Sequence, residues 1–302
     1  MQHPTVAIVT DVSDRFLEWK YLLRLFVRAW EERGIKVVVV RDEASFQPAD
    51  IAFLHADLTV VPEHCLALCR RYPRVINGGA IDIQKRFFSD LLVTPTSDWQ
   101  GPVIVKTEWN CGGWREYREW LEKTLVGQLL QRVGGFETYH NFRARQEAKR
   151  SWRDRRLLPY GQYPIYASRN EIPDGVWQNS NMVVEKFISE KEGNEYYCRH
   201  WNFLGDREIT FRSYSLDPVV KLNGRLERTK DTVPDDLREI RQSLGFDYGK
   251  FDYCVVDGKT VLYDVNRTPA ASVEERYAWA VPHLERGIDL FLPQSQEEPV
   301  LS

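Results

Sequence analysis

Residues 250–269 read KFDYCVVDGKTVLYDVNRTP, two apolar runs separated by Asp257-Gly258. Asp-Gly between alternating apolar residues is the strongest short-range signal for a two-stranded hairpin. In the second run Asp264 and Asn266 are two apart, and residues i and i+2 of a strand share a face, so a carboxylate and an amide oxygen stand side by side. Asp252 lies on the first run. A two-residue turn with regular pairing sets Asp252 opposite Tyr263, on the wrong face for joint action with Asp264. A longer loop through Lys259, or a bulge, sets Asp252 opposite Asp264 and brings the three oxygen donors together. That second register is the expectation, and it makes Asp252, Asp264 and Asn266 candidate ligands of Mg²⁺ or Mn²⁺, ions held by a few oxygens plus substrate phosphates. Asp-x-Asn by itself also suits an acidic strand edge that keeps a hairpin soluble.

Working outward, 302 residues can hold a large core and suggest about two domains. The 41 basic and 44 acidic side chains leave a net charge of -3, which argues against a general nucleic-acid binder. No run of 18 apolar residues and no basic-then-apolar leader is present, so the expectation is a cytoplasmic protein without membrane association. The five cysteines are odd in number and lack a CxxC pair, which points to neither a disulfide framework nor a zinc site. Cys65 and Cys69, one helical turn apart, read as small core residues. Gly258-Lys259-Thr260 is not a phosphate loop, because Tyr253 stands where its first glycine belongs. Asn266-Arg267-Thr268 is a glycosylation sequon without the secretory context it needs.

TVAIVT (5–10), IKVVVV (35–40), DIAFLHAD (50–57) and RVING (74–78) are continuous apolar strands alternating with helical segments, the pattern of a parallel layer covered on both faces. Leu17, Leu22, Leu25, Phe26 and Ala29 predict a first helix capped by Ser13 or Asp14 and stopped at Gly34; a second is expected from Pro62 to about Tyr72. No GxGxxG follows the first strand. Lys85 falls on a short amphipathic helix in IDIQKRFFSDLL, and Lys106 ends the apolar strand VIVK, where a lone ammonium needs an anion. Gly112-Gly113 follows and suits either a simple turn or a glycine loop whose N–H groups hold an anion. WREYREWLEKTLVGQLLQR (114–132) is amphipathic throughout. The basic stretch 141–156 reads as a solvated face or as a mobile lid offering arginines to phosphate or an acidic substrate. NMVVEKFI (181–188) is a strand with Glu185 inside it, and two aromatic-rich strands surround Leu204-Gly205-Asp206. Lys221 and Lys230 flank a surface turn at Asn223-Gly224. A helix is expected over Thr232–Leu244, and a last one over VEERYAWAVPHLERGIDLF (273–291), in which His283 reads as a packing or capping residue.

The order Lys85, Lys106, Glu185, Glu195, Arg212, Asp252, Asp264, Asn266, with Pro269 behind it, resembles the ATP-grasp superfamily over about residues 75–269, nearest to the branch of glutathione synthetase and glutamate-adding ligases. Asp264 stands where glutamate is commoner there. The resemblance implies an α/β and α+β chain: a preceding N-terminal α/β domain (1–93), then a two-subdomain ATP-grasp fold (94–181, carrying the basic insertion, and 182–292, carrying the metal site), then a polar tail (293–302). It further implies that Lys85 and Lys106 reach nucleotide phosphates, that the strand Glu185, Lys186 and Phe187 recognises the adenine edge, that Glu195 serves the ribose, and that Arg212, with Arg199 as a weaker candidate, faces the γ-phosphate and the reacting acyl group. The implied activity is ATP- and Mg²⁺-dependent ligation of a small-molecule or peptide carboxylate to an amine through an acyl phosphate. A kinase acting on a hydroxyl, or a non-catalytic nucleotide-binding module, are the alternatives. No Ser-His or Cys-His constellation is needed for this chemistry, and none stands out in the sequence.

Overall fold

The structure, a computed structural model, describes residues 3–159, 162–221, 224–271 and 273–293. Asn223 of the expected surface turn and residues 294–302 of the polar tail lie outside them. The first layer is a parallel sheet of β1 (Thr5–Val9), β2 (Lys36–Val40), β3 (Ile51–Leu54) and β4 (Val75–Ile76), in the order β2-β1-β3-β4. Its strands are apolar throughout because both faces are covered. Val6 and Ile8 turn to one side, against Leu22, Phe26 and Trp30 of α1 (Leu22–Glu32), while Ala7 and Val9 turn to the other, against Cys65 and Leu68 of α2 (Glu63–Cys69). Helix α1 starts later than the sequence predicts. Leu17 is exposed, and Asp14, rather than capping a helix, takes hydrogen bonds from the Tyr21 hydroxyl (3.2 Å) and the Asp57 N–H (3.3 Å). Helix α1 ends as expected at Gly34, whose φ of +84° is the left-handed conformation that glycine adopts freely.

After the single turn α3 (Lys85–Phe88) comes an antiparallel sheet of β5 (Val103–Thr107), β6 (Ile165–Tyr166) and β7 (Met182–Lys186), ordered β6-β5-β7. Helices α4 (Trp114–Glu122), α5 (Leu125–Arg132) and α6 (Phe136–Glu147) are inserted between β5 and β6, and α7 (Asp174–Trp177) precedes β7. The amphipathic stretch 114–132 is therefore two helices. It breaks at Thr124, whose hydroxyl accepts the Gly127 N–H, and a Cβ on Gly127 would meet the Leu121 carbonyl at 2.0 Å. In the basic stretch, Arg145, Lys149, Arg150 and Arg153 are exposed.

The third sheet contains β8 (Glu190–Glu192), β9 (Glu195–Leu204), β10 (Arg207–Ser215), β11 (Arg225–Thr229), β12 (Tyr248–Val256) and β13 (Lys259–Asn266), ordered β11-β10-β9-β12-β13, with β8 also on β9. Between β11 and β12 lies α8 (Asp235–Ser243), which packs Leu237 on Trp201, Phe203 and Phe251. On the opposite face Leu204, Phe211 and Tyr248 join Phe26, Trp30 and Phe53 of the first layer in one core. The β12–β13 hairpin turns on two residues, Asp257 (φ 52°) and Gly258 (φ 73°), and a bulge at Tyr263 then shifts the register so that Asp252 faces Asp264 and Lys250 faces Asn266.

Two organisational expectations are corrected. Strand β7 pairs with β5 along its whole length, from Val103↔Lys186 to Thr107↔Met182, so a division at 181/182 would cut one sheet in two. The expected helix over 273–291 is instead a 3₁₀ turn at Glu274–Arg276, the short α9 (Val281–Leu284) and a second 3₁₀ segment at Glu285–Leu290. Pro282 falls within this stretch and brings no N–H, and the indole of Trp30 donates to the Glu285 carbonyl at 2.9 Å, holding that backbone against α1. No helix among the described residues is long and apolar enough to cross a membrane.

Candidate functional site

Between the three-stranded and six-stranded sheets lies a cleft of about 850 Å³, counting its open mouth. Its polar end is lined by Lys85, Lys106, Asp252 and Asp264, and its apolar part by Ile104, Tyr163, Phe187 and Ile188. The backbone explains who faces in. On β5, Val103 and Val105 enter a core with Val184 and Ile172, so Ile104 and Lys106 turn to the cleft. Lys85 opens α3 and is 5% exposed, with its ammonium 3.3 Å from Asp264. Burial by itself would lower the Lys85 pKa; Asp264 and Glu185 overcome it and hold it above the ordinary lysine value.

Glu185 is fully buried under these lysines. Its carboxylate lies 2.6 Å from the Lys106 ammonium and accepts the Ser89 hydroxyl at 2.6 Å. Burial would raise its pKa, yet Lys106 and then Lys85 bring it below the usual carboxylate value. Glu185 is thus the counter-ion that keeps two ammonium groups in place, and its carboxylate is not offered to a base edge. The strand end itself does border the cleft, through Lys186, Phe187, Ile188 and Ser189. Lys186 lies 5.5 Å from the Trp99 ring centre.

On the six-stranded side, Asp252 and Asp264 both reach the cleft. Among the described residues, Asp264 has its ion pair with Lys85. Asp252 is engaged more heavily: Lys250 donates to both of its oxygens (2.9 and 3.0 Å), and His200 Nδ1 lies 2.6 Å away, with His200 Nε2 in turn 2.6 Å from the Ser213 hydroxyl. Burial opposes ionisation of Asp252, but Lys250 and His200 prevail and hold it below the normal carboxylate range. Asn266 does not line the cleft. Its Oδ1 accepts the Thr268 N–H at 2.8 Å, starting a turn that leads to Arg267, which is buried and donates to the carbonyls of Ala56, Leu58 and Ala80. The hairpin end is thereby tied to the first layer.

Four other expectations are corrected. Arg212 and Arg199 stand on the face of the sheet opposite Asp252, because Arg212 pairs across the ladder with Arg199 and Arg199 with Tyr253, the neighbour of Asp252. There Arg212 is bidentate on Asp231 (2.8 and 2.9 Å), and Arg199 joins Asp231 to Glu190. Glu195 is bound to Arg225 at 2.9 Å, away from the cleft lining. Gly112 and Gly113 are buried against 156–158: Leu158 N–H donates to the Gly112 carbonyl, and a Cβ on Gly113 would lie 2.9 Å from the Arg156 carbonyl. Their left-handed backbone (φ 68° and 79°) serves that close approach, not a loop above the phosphates.

Sequence reading overlooked Lys250, His200 and Ser213. Lys250 was findable, since it stands two residues before Asp252 on one strand; His200 and Ser213 depend on a pairing of β9 with β10 and β12 that no local signal gives.

No family model matches the chain, and no curated protein matches it. Among solved structures it is similar to a RimK domain protein ATP-grasp from Sphaerobacter thermophilus, at 13% identity over 94% of this chain and 99% of that one, with a TM-score of 0.47. It is also similar to a D-alanine–D-alanine ligase from Bacillus anthracis (12% identity, 96% of each chain, TM-score 0.45). A third is the macrocyclase MdnC bound with precursor peptide MdnA from Microcystis aeruginosa (12% identity, 96% of this chain and 99% of that one, TM-score 0.49). These are likenesses of layout, and the residues of the cleft decide what it can bind.

Proposed function

We propose that the cleft binds ATP with Mg²⁺ and that the chain is an ATP-dependent ligase joining a small-molecule or peptide carboxylate to an amine. The observation that carries this reading is the convergence of Lys85, Lys106, Asp252 and Asp264 on one end of a cleft that also presents the apolar Ile104, Phe187 and Ile188. Two ammonium groups, that of Lys85 buried and that of Lys106 partly so, each rest on a carboxylate and are poised to turn to phosphate oxygens, and Ile104, Phe187 and Ile188 offer apolar surface to a base. A hard cation suits Asp264 and Asp252, with Asn266 two residues beyond Asp264 on the same strand; Asp264 has an oxygen that no ion pair among the described residues occupies, while Asp252 shares its own with Lys250 and His200. When bound, the metal would neutralise charge on the transferred phosphoryl group. Lys85 and Lys106 would fix the phosphates, and the cleft walls would exclude water from an acyl phosphate.

Calorimetric titration with a non-hydrolysable ATP analogue, with and without Mg²⁺, tests the site; binding under neither condition ends the nucleotide reading. With binding established, ATP, Mg²⁺, pooled carboxylic acids and hydroxylamine separate ligation from phosphorylation of a hydroxyl. A hydroxamate supports the ligase, whereas a phosphorylated alcohol without hydroxamate overturns it in favour of a kinase.

A further inference from the structure

A second set of chemistry-bearing side chains lies outside the cleft, where the first sheet delivers β1 to the start of α2. Asp11 Oδ2 is 3.2 Å from His64 Nε2, and His64 Nε2 is 3.4 Å from Cys65 Sγ; the three ligand atoms all lie within 4.8 Å of one another. Asp11 and Cys65 are buried, at 3% and 0% exposure, and His64 is exposed. We propose that Asp11, His64 and Cys65 form a Zn²⁺-binding site with one coordination position open to solvent.

The separations fit a metal. Zinc bonds of about 2.0 Å to oxygen and nitrogen and 2.3 Å to sulfur, at tetrahedral angles, place ligand atoms roughly 3.3 to 3.6 Å apart. The Asp11–His64 and His64–Cys65 spacings are already near that size, and the Asp11 and Cys65 ligand atoms lie within 4.8 Å of each other, so a modest closing movement seats the ion. Charge balances as well: a thiolate and a carboxylate cancel a divalent cation, which makes burial of the assembly affordable where any one charge alone would be costly. On binding, the Cys65 S–H bond is replaced by a sulfur–metal bond and its proton leaves to water. Asp11 is oriented by a neighbour, since the Ser13 N–H and hydroxyl both donate to its Oδ1 (2.8 and 2.5 Å), leaving Oδ2 to face His64. His64, at the surface, provides the route of entry. Thiolate and imidazole donors select zinc over the Mg²⁺ proposed for the cleft. A second cluster of metal-binding residue types, Cys198, His200 and Asp252, belongs to the cleft wall, and both nitrogens of its histidine are already engaged by Asp252 and Ser213.

The test uses the full chain without an affinity tag, in excess Mg²⁺. Titration with Co²⁺ as a spectroscopic substitute should give a near-ultraviolet thiolate-to-cobalt band and the visible bands of a four-coordinate ion, saturating at one ion per chain and displaced by Zn²⁺. Cys65→Ser should abolish the thiolate band. Because Cys65 is in the core and its variant could misfold, the exposed His64→Ala is the companion: it should raise the Zn²⁺ Kd by at least about 100-fold with an unchanged circular dichroism spectrum, and Ser13→Ala by about tenfold. Absence of a thiolate band in the wild type, or a Zn²⁺ Kd unchanged by His64→Ala, overturns the site. None of these readouts depends on nucleotide binding.

Discussion

Replacing Lys106 by Met separates what this lysine does for the fold from what it does for a ligand. Glu185 is fully buried and has the Lys106 ammonium at 2.6 Å, so the substitution leaves a buried carboxylate with only the Ser89 hydroxyl and the more distant Lys85. Breaking a buried pair from one side costs about 3–5 kcal/mol. Because Lys85 still acts on Glu185, the lower figure, about 3 kcal/mol, is expected here. Adding Glu185→Gln removes the stranded charge while keeping an amide of the same shape, and should return stability to within about 1 kcal/mol of wild type. Affinity for an ATP analogue should behave differently. If Lys106 donates to a phosphate, its loss removes a charge-assisted hydrogen bond of about 1.5–3 kcal/mol, or roughly 10- to 150-fold in Kd, and the double variant should not recover it. Urea unfolding followed by tryptophan fluorescence gives the stabilities and calorimetry the affinities. A double variant that binds the analogue as tightly as wild type would refute the phosphate role; a single variant as stable as wild type would refute the counter-ion role of Glu185.

Asp14 gives a pH prediction. Burial first, and the neighbouring Asp57 second, push its carboxyl up to about 7. The folded state therefore keeps a proton that the unfolded chain releases near pH 4, so this group's stabilisation is full below about pH 4 and is lost as pH rises through about 7. The difference in unfolding free energy between wild type and Asp14→Asn should shift in favour of the variant as pH goes from about 5 to about 8; a flat difference would contradict the assignment. Ser213→Ala strands the buried His200 Nε2 and should cost about 1–3 kcal/mol in urea unfolding, with no loss expected if His200 were free of Ser213. Arg212→Ala, on the sheet face turned away from the cleft, should leave the analogue's Kd within about twofold of wild type, and a large loss of affinity would restore Arg212 to the ligand.

Much of this architecture was written locally. Asp257-Gly258 announces its hairpin because few other pairs accept two successive positive φ angles, and the need to bring Asp252 and Asp264 to one face already called for the bulge that Tyr263 supplies. The alternation of apolar strands and helices was equally readable, since every strand of the first layer is covered on both sides. What local pattern does not carry is which face of a long strand meets the ligand. Arg199 and His200 are adjacent and both polar; only the pairing of β9 with β12, some fifty residues onward, turns His200 to Asp252 and Arg199 away. Gly112-Gly113 misled for a related reason. A glycine pair reports a permitted backbone conformation but not the neighbour that demands it, here the carbonyl of Arg156.

The core shared by the first layer and the third sheet has a consequence for how the chain is made. Trp30 hydrogen-bonds to the Glu285 carbonyl, Arg33 pairs with Glu285 and Asp289, and Asn77 exchanges three hydrogen bonds with the backbone of Asp247 and Tyr248. On the ribosome the opening α/β layer therefore emerges long before the residues that cover its α1 face, and Phe26, Trp30 and Phe53 must wait, exposed, for Tyr248, Leu284 and Ile288. A nascent chain halted near residue 200 would hold every strand of its first sheet and still lack one wall of that sheet's core. Interrupted synthesis should thus yield sticky fragments bound by chaperones, and cutting the gene between the first layer and the rest should not release an independent folding unit.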